Sequence, residues 1–194
     1  MNREQWMERA IEILTDEIFY EDTVPKIQVS CGFPSRRAVV AKNRVIGQCW
    51  NKRASEDGET YTILISPLLK DGIEVLGVLV HEVLHAILPF GTGHKAPFKH
   101  AMVRIGLEGK PTATTAGAEL EEKFKHWIAT GRLAEYPHVA LNASGMERER
   151  KKQTTRLIKV ECPSCGCLAR MTMKWLLDPG TPMCGCGTEM EAAV

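Results

Sequence analysis

The run from Ile73 to Phe90 is almost wholly apolar, yet it carries Glu74, His81, Glu82 and His85. A lipid-facing helix would not tolerate those four groups, so the run reads as a helix in the middle of a protein core. Asp71, with Glu74 three residues on, is a capping-box-like start. Pro89 disfavours helical geometry at Leu88 and ends the segment. Burying two imidazoles and a carboxylate there costs on the order of several kcal/mol unless they are paired. One metal ion would resolve all three.

His81-Glu82-Val83-Leu84-His85 has the spacing for that. Positions i and i+4 of a helix share a face, so both imidazoles can reach one ion. Glu82 points about 100° away, beside the metal and not on it. There it can act as general base toward a water that zinc acidifies, then pass the proton to a leaving amine. The bland alternative is a pair of hydrogen-bonded core histidines and a surface glutamate. A catalytic zinc needs a third protein ligand and an open position. A metzincin would have Gly at 88 and His at 91, and Leu88 and Gly91 exclude that class. A gluzincin would take Glu108 or Glu119. His94, in a Gly-rich turn just past the helix end, is the stronger candidate, with His100 as the fallback. Tyr61, Arg104 and His100 are candidate oxyanion partners.

Around this helix the pattern is mixed. Residues 3 to 20 carry Trp6, Ala10, Ile13, Leu14 and Ile18 at helical spacing. Lys26–Ser30, Arg44–Trp50 and Thr60–Ser66 read as strands, and Ala96–Leu107 and Ala118–Thr130 as helices, the last stopped by Gly131. Residues 136–156 read as a linker.

Five of the seven cysteines fall in the last 33 residues. The chain starts with charged residues where a signal peptide would be apolar, so clustering points to metal and not to disulfides. The expectation is a cytoplasmic protein, in association with DNA or free of it, and no membrane partner. Cys162, Cys165, Cys184 and Cys186 form a tetrahedral set, with Gly166 and Gly187 after the knuckles; Cys167 is an alternative ligand. A strand hairpin is expected around Ala169–Leu177, with Trp175 as the module's one large core residue or as a stacking platform. Cys31 and Cys49 read as core thiols.

Net charge is +1, but Thr23 to Ser55 holds seven Lys and Arg against no Asp or Glu, and Arg148 to Lys174 holds eight against two. Such stretches suit a polyanion, single-stranded DNA above all, with Arg36, Arg37, Lys151, Lys152, Arg156 and Lys174 as candidate contacts. A solvated surface with acids folded nearby is the other reading.

A strand region, an HExxH helix and the turn Gly93-His94-Lys95-Ala96-Pro97-Phe98 together resemble the SprT-like (Spartan-type) zinc metallopeptidases. In that family the third ligand is the His of a Gly-His-Gly-Pro-x-Phe segment. Gly93, His94 and Phe98 match; Lys95 stands where the family has Gly, and the proline is displaced to Pro97. The family also commonly ends in a zinc ribbon, so the resemblance covers about residues 1 to 192. It implies an α+β fold: a zincin-like catalytic domain over 1–135, with a small sheet and the HExxH helix, the linker over 136–156, and a zinc ribbon over 157–194. It implies a zinc-dependent endopeptidase with one catalytic zinc on His81, His85 and His94, Glu82 as base, one structural zinc on the four cysteines, and a protein substrate linked to DNA. The rival from another class is a non-catalytic, nucleic-acid-binding zinc protein.

Overall fold

The computed structural model describes residues 1–40, 42–142 and 157–192. The chain forms two compact units, Met1–Glu147 and Arg148–Val194, of mixed α and β structure with small sheets. Among the described residues no helix is long and apolar enough to cross a membrane.

The first unit begins with α1 (Arg3–Glu17), opened by a capping box between Asn2 and Gln5. Its apolar stripe, Trp6, Met7, Ala10, Ile13 and Leu14, is fully buried. Three strands follow: β1 (Ile27–Cys31), β2 (Gly47–Trp50) and β3 (Tyr61–Ile65). The order is β1-β3-β2, with β1 parallel and β2 antiparallel to β3, so β2 is an edge. Tyr61, Ile63 and Ile65 alternate inward along the central strand.

Helix α2 (Gly72–Ile87) packs on β2 and β3. Asp71 caps it by accepting the Glu74 N–H at 2.9 Å, and Leu88 leaves helical geometry before Pro89 with ψ 151°. Val75, Leu76, Leu79, Val80, Val83 and Leu84 have no exposed surface, which makes this helix the centre of the core. After it come α3 (Ala96–Arg104), the antiparallel hairpin β4 (Leu107–Lys110) and β5 (Ala113–Ala116), and α4 (Ala118–Ala129).

Here the structure corrects one expected element. The helix expected to run to Leu107 stops at Arg104, because Gly106 has φ +86° and its carbonyl accepts the Gly117 N–H, closing the hairpin instead. Residues 136–142, the start of the expected linker, lie against the first unit: Tyr136 packs edge-on against Trp6, and Pro67 O accepts both the Leu141 N–H and a His138 ring nitrogen. Residues 143–156, the rest of that segment, lie outside the described residues.

The second unit holds β6 (Leu157–Glu161), β7 (Leu168–Thr172), α5 (Met173–Leu177) and β8 (Glu191–Ala192), with β6 central. The hairpin expected around 169–177 is instead β6–β7, turned at the first cysteine knuckle, and Met173–Leu177 is helical. Trp175 is 54% exposed, so the reading of it as the module's core is corrected. Among the described residues the unit's buried core is Val160, Cys162 and Met190.

Candidate metal centres

His81 and His85 stand one turn apart on α2, and His94 comes back to them from the turn between α2 and α3. Their Nε2 atoms form a near-equilateral triangle: 3.2 Å from His81 to His85, 3.2 Å from His81 to His94 and 3.1 Å from His85 to His94. Three imidazole nitrogens facing one point cannot all donate to one another, so the triangle has the geometry of a ligand set more than of a hydrogen-bond network. Zinc–nitrogen bonds of about 2.0–2.1 Å in tetrahedral geometry separate ligand atoms by roughly 3.3–3.4 Å, close to what is seen. The residues therefore fit a metal ion. Glu108, Glu119 and His100 are not part of this set among the described residues.

Two features hold the imidazoles. Phe98, with no exposed surface, stacks on His85 at 4.5 Å and touches His81 and His94 at 4.9 and 5.1 Å. Its position four residues after His94, inside the first turns of α3, makes it the floor under all three rings. Thr114 on β5 lies with Oγ1 2.8 Å from His81 Nδ1. With the Nδ1 proton on that oxygen, the Nε2 lone pair faces the centre of the triangle. Sequence reasoning missed Thr114, since nothing in its neighbourhood marks it.

Burial pushes His81 down to about 3 and His85 to about 4, helped by the neighbouring rings, and it lowers His94 as well. Burial thus favours the neutral form of each imidazole, the form that binds metal.

Glu82 is 6% exposed and its pKa is raised to about 8 by burial, opposed by the Cys49 backbone N–H that its carboxylate accepts. Gly47 makes that approach possible. A Cβ there would sit 2.5 Å from Glu82 Oε1 and 2.5 Å from Val78 Cγ1. The edge strand and the carboxylate can meet only over a residue without a side chain.

The triangle opens into a cleft of about 1240 Å³. Of the candidate oxyanion partners, Tyr61 lines this cleft. Arg104 does not: it grips the Asp22 carboxylate at 2.8 and 2.7 Å. His100 is exposed on α3 and is not among the lining residues.

In the second unit the sulfurs of Cys162, Cys165, Cys184 and Cys186 converge within 4.8 Å of one another. The Cys162–Cys186 and Cys165–Cys184 separations are each 3.5 Å, too long for a disulfide and near the roughly 3.8 Å edge of a tetrahedron with about 2.3 Å zinc–sulfur bonds. Gly166 and Gly187 have φ +72° and +83°, and the residue after each turns its N–H to a thiolate, Cys167 to Cys165 and Thr188 to Cys186. The Thr188 hydroxyl, then its N–H, lowers Cys186 to about 6. The short C-x-C spacing thus reproduces the knuckle of the longer pair. Cys167 is exposed and stands outside the set. Cys31 and Cys49 are half-buried in β1 and β2.

Arg36 lines the cleft. Arg37 does not present its guanidinium outward in the same way: Nε and Nη2 donate to Asn43 O and Lys42 O, both at 3.0 Å, bracing its own loop. Lys174 is exposed, with Nζ 5.5 Å from the Trp175 ring. Lys151, Lys152 and Arg156 lie outside the described residues. No family model, curated protein or solved structure matches the chain.

Proposed function

We propose that the protein is a zinc-dependent endopeptidase of SprT-like type with a zincin-like catalytic unit. One observation carries the reading: three neutral imidazole nitrogens converge at 3.1–3.2 Å at the floor of an open cleft, with a buried carboxylate one residue along the same helix. A purely structural metal site has no use for Glu82. Burying a carboxylate that among the described residues meets one backbone N–H, that of Cys49, is costly without a functional return.

Zinc held by three imidazoles supplies Lewis acidity, polarising a carbonyl and making water reactive at neutral pH. His81, His85 and His94 hold it. Thr114 fixes the His81 ring, and Phe98 sets the tilt of all three. As the carboxylate, the form a neighbouring metal cation would favour against its burial, Glu82 would take a proton from water and pass it to the leaving amine. The Cys49 N–H keeps the carboxylate turned to the edge strand. Cys162, Cys165, Cys184 and Cys186 hold a second, structural zinc, which gives a unit with three buried core residues the stability its apolar core lacks.

The substrate is a protein associated with or crosslinked to DNA. The support is the charge pattern and the exposed Trp175 with Lys174 above it, a pair suited to a stacked base of single-stranded DNA. The test is cleavage of a DNA-bound protein by wild type and Glu82→Gln, with and without single-stranded DNA. Cleavage that requires Glu82 and rises with DNA is expected. Glu82-dependent cleavage indifferent to DNA removes the DNA link, and salt-sensitive DNA binding with no cleavage favours the non-catalytic alternative.

A further inference from the structure

The cleft over the three histidines is charged with one sign. Arg36 and Arg44 reach it from the segment between β1 and β2, Arg53 from the turn after β2, and Lys110 from the end of β4. Among the described residues the one carboxylate lining it is Glu82, which is buried beneath the edge strand. None of the four cations has a carboxylate partner among the described residues. Some cations elsewhere in the same unit do: Lys26 pairs with Asp57, Arg104 with Asp22 and Lys125 with Glu121. Uncompensated like charges around a concave, partly apolar site focus their field into it and concentrate ligands of opposite charge.

Two of these cations are also held in place. Arg44 Nε donates to Val40 O at 3.2 Å, leaving its other N–H groups to point elsewhere. Arg53 lies over the Phe90 ring at 4.6 Å. Both have lost side-chain freedom before any ligand arrives, which lowers the entropic cost of binding.

The neighbouring strand says what kind of polymer fits. The Ser66 N–H donates to Ile46 O, so by the two-residue alternation Gln48 and Trp50 face β3 while the peptide groups of Gly47 and Cys49 face the open edge. The Cys49 N–H bonded to Glu82 agrees with that parity. Among the described residues nothing pairs with the Gly47 peptide groups, which face that edge at the cleft. An extended polypeptide can pair there; a nucleic acid has no main-chain amides to do so.

Resting on the peptidase reading, we propose that the cleft selects an acidic polypeptide segment, whose Asp or Glu side chains near the scissile bond meet Arg36, Arg44, Arg53 and Lys110. A DNA-associated protein would then be cut in an acidic segment and not across its basic, DNA-facing surface. Trp50, 41% exposed, and Phe90, 66% exposed, are also platforms on which a nucleic-acid base can stack, so an oligonucleotide is the competing occupant.

Binding separates this from the catalytic reading. Full-length, zinc-loaded Glu82→Gln is titrated by fluorescence anisotropy with a labelled Glu-rich peptide, its Gln counterpart and a single-stranded oligonucleotide. The same titrations are run on Glu82→Gln also carrying Arg36→Glu and Arg53→Glu, two exposed positions whose reversal leaves the core untouched. The expected result is at least roughly tenfold preference for Glu over Gln, the size of a few partly screened ion pairs, falling with salt and abolished by the reversal. Equal affinity for the two peptides overturns the inference whatever the wild type cleaves. Oligonucleotide binding that the reversal abolishes, with no peptide preference, assigns the cleft to nucleic acid and overturns it too. Acidic preference in a protein whose wild type cleaves nothing upholds the cleft assignment and sinks the peptidase reading alone.

Discussion

Thr114 Oγ1 stands 2.8 Å from His81 Nδ1, so a hydroxyl on the β4–β5 hairpin fixes which nitrogen of His81 faces the candidate metal site. Losing such a partner costs about 10–100-fold in metal affinity in comparable sites. Thr114→Val keeps the shape and removes the acceptor. It should weaken zinc at the histidine site by that factor and leave the cysteine site alone. Competition with a graded chelator, with cobalt replacing zinc to tell the two sites apart by colour, measures it.

Gly47→Ala tests the contact between edge strand and carboxylate. The added methyl overlaps both Glu82 and Val78, and overpacking of this kind costs about 1–3 kcal/mol. Either β2 or Glu82 must move, so peptide cleavage should fall far more than stability does. Urea midpoints beside kcat give both numbers. A variant with normal kcat would show that Glu82 does not depend on the β2 backbone.

The second unit should depend on its metal outright. With three buried core residues, the segment 157–192 has too little apolar burial to stay folded alone. Chelation, or Cys162→Ser, should abolish protection of its amides from hydrogen exchange while α1 and α2 keep theirs. Full retention of protection after chelation would contradict a structural metal.

Asp57 predicts an acid sensitivity in the turn before β3. Its carboxylate accepts from the Thr60 hydroxyl at 2.5 Å, the Thr60 and Glu59 N–H groups and the Ser55 hydroxyl, and these hold its pKa far below the usual carboxylate range. A depressed folded pKa contributes stability that is present above the unfolded value of about 3.9 and lost as pH falls below it. Wild type should therefore lose more stability than Asp57→Asn between about pH 5 and pH 2.5, read as urea midpoints.

The legible parts of this molecule are the local ones. His81, His85 and His94 span 14 residues, and a helix followed by a short glycine turn leaves the chain few ways to keep them apart. Asp71 and Pro89 bracket α2 because caps and prolines act on their immediate neighbours. What was not legible depends on distant pairing. Thr114 meets His81 across 33 residues, through a hairpin whose first strand, Leu107-Glu108-Gly109-Lys110, shows no alternation. Gly47 looks like an ordinary strand glycine until β2 is laid over Glu82. A large aromatic in a tiny module suggests core for Trp175, whereas the buried cluster among the described residues is Val160, Cys162 and Met190, and Trp175 stays exposed.

In the proposed reaction Glu82 is the base and His81, His85 and His94 hold the metal. Zinc content and cleavage of an unfolded protein substrate, measured together on wild type and Glu82→Gln, test it most directly. The account predicts equal zinc in the two proteins, with cleavage lost by at least about a thousandfold in the variant, a typical scale for removing a general base. Equal zinc with cleavage undiminished would contradict it.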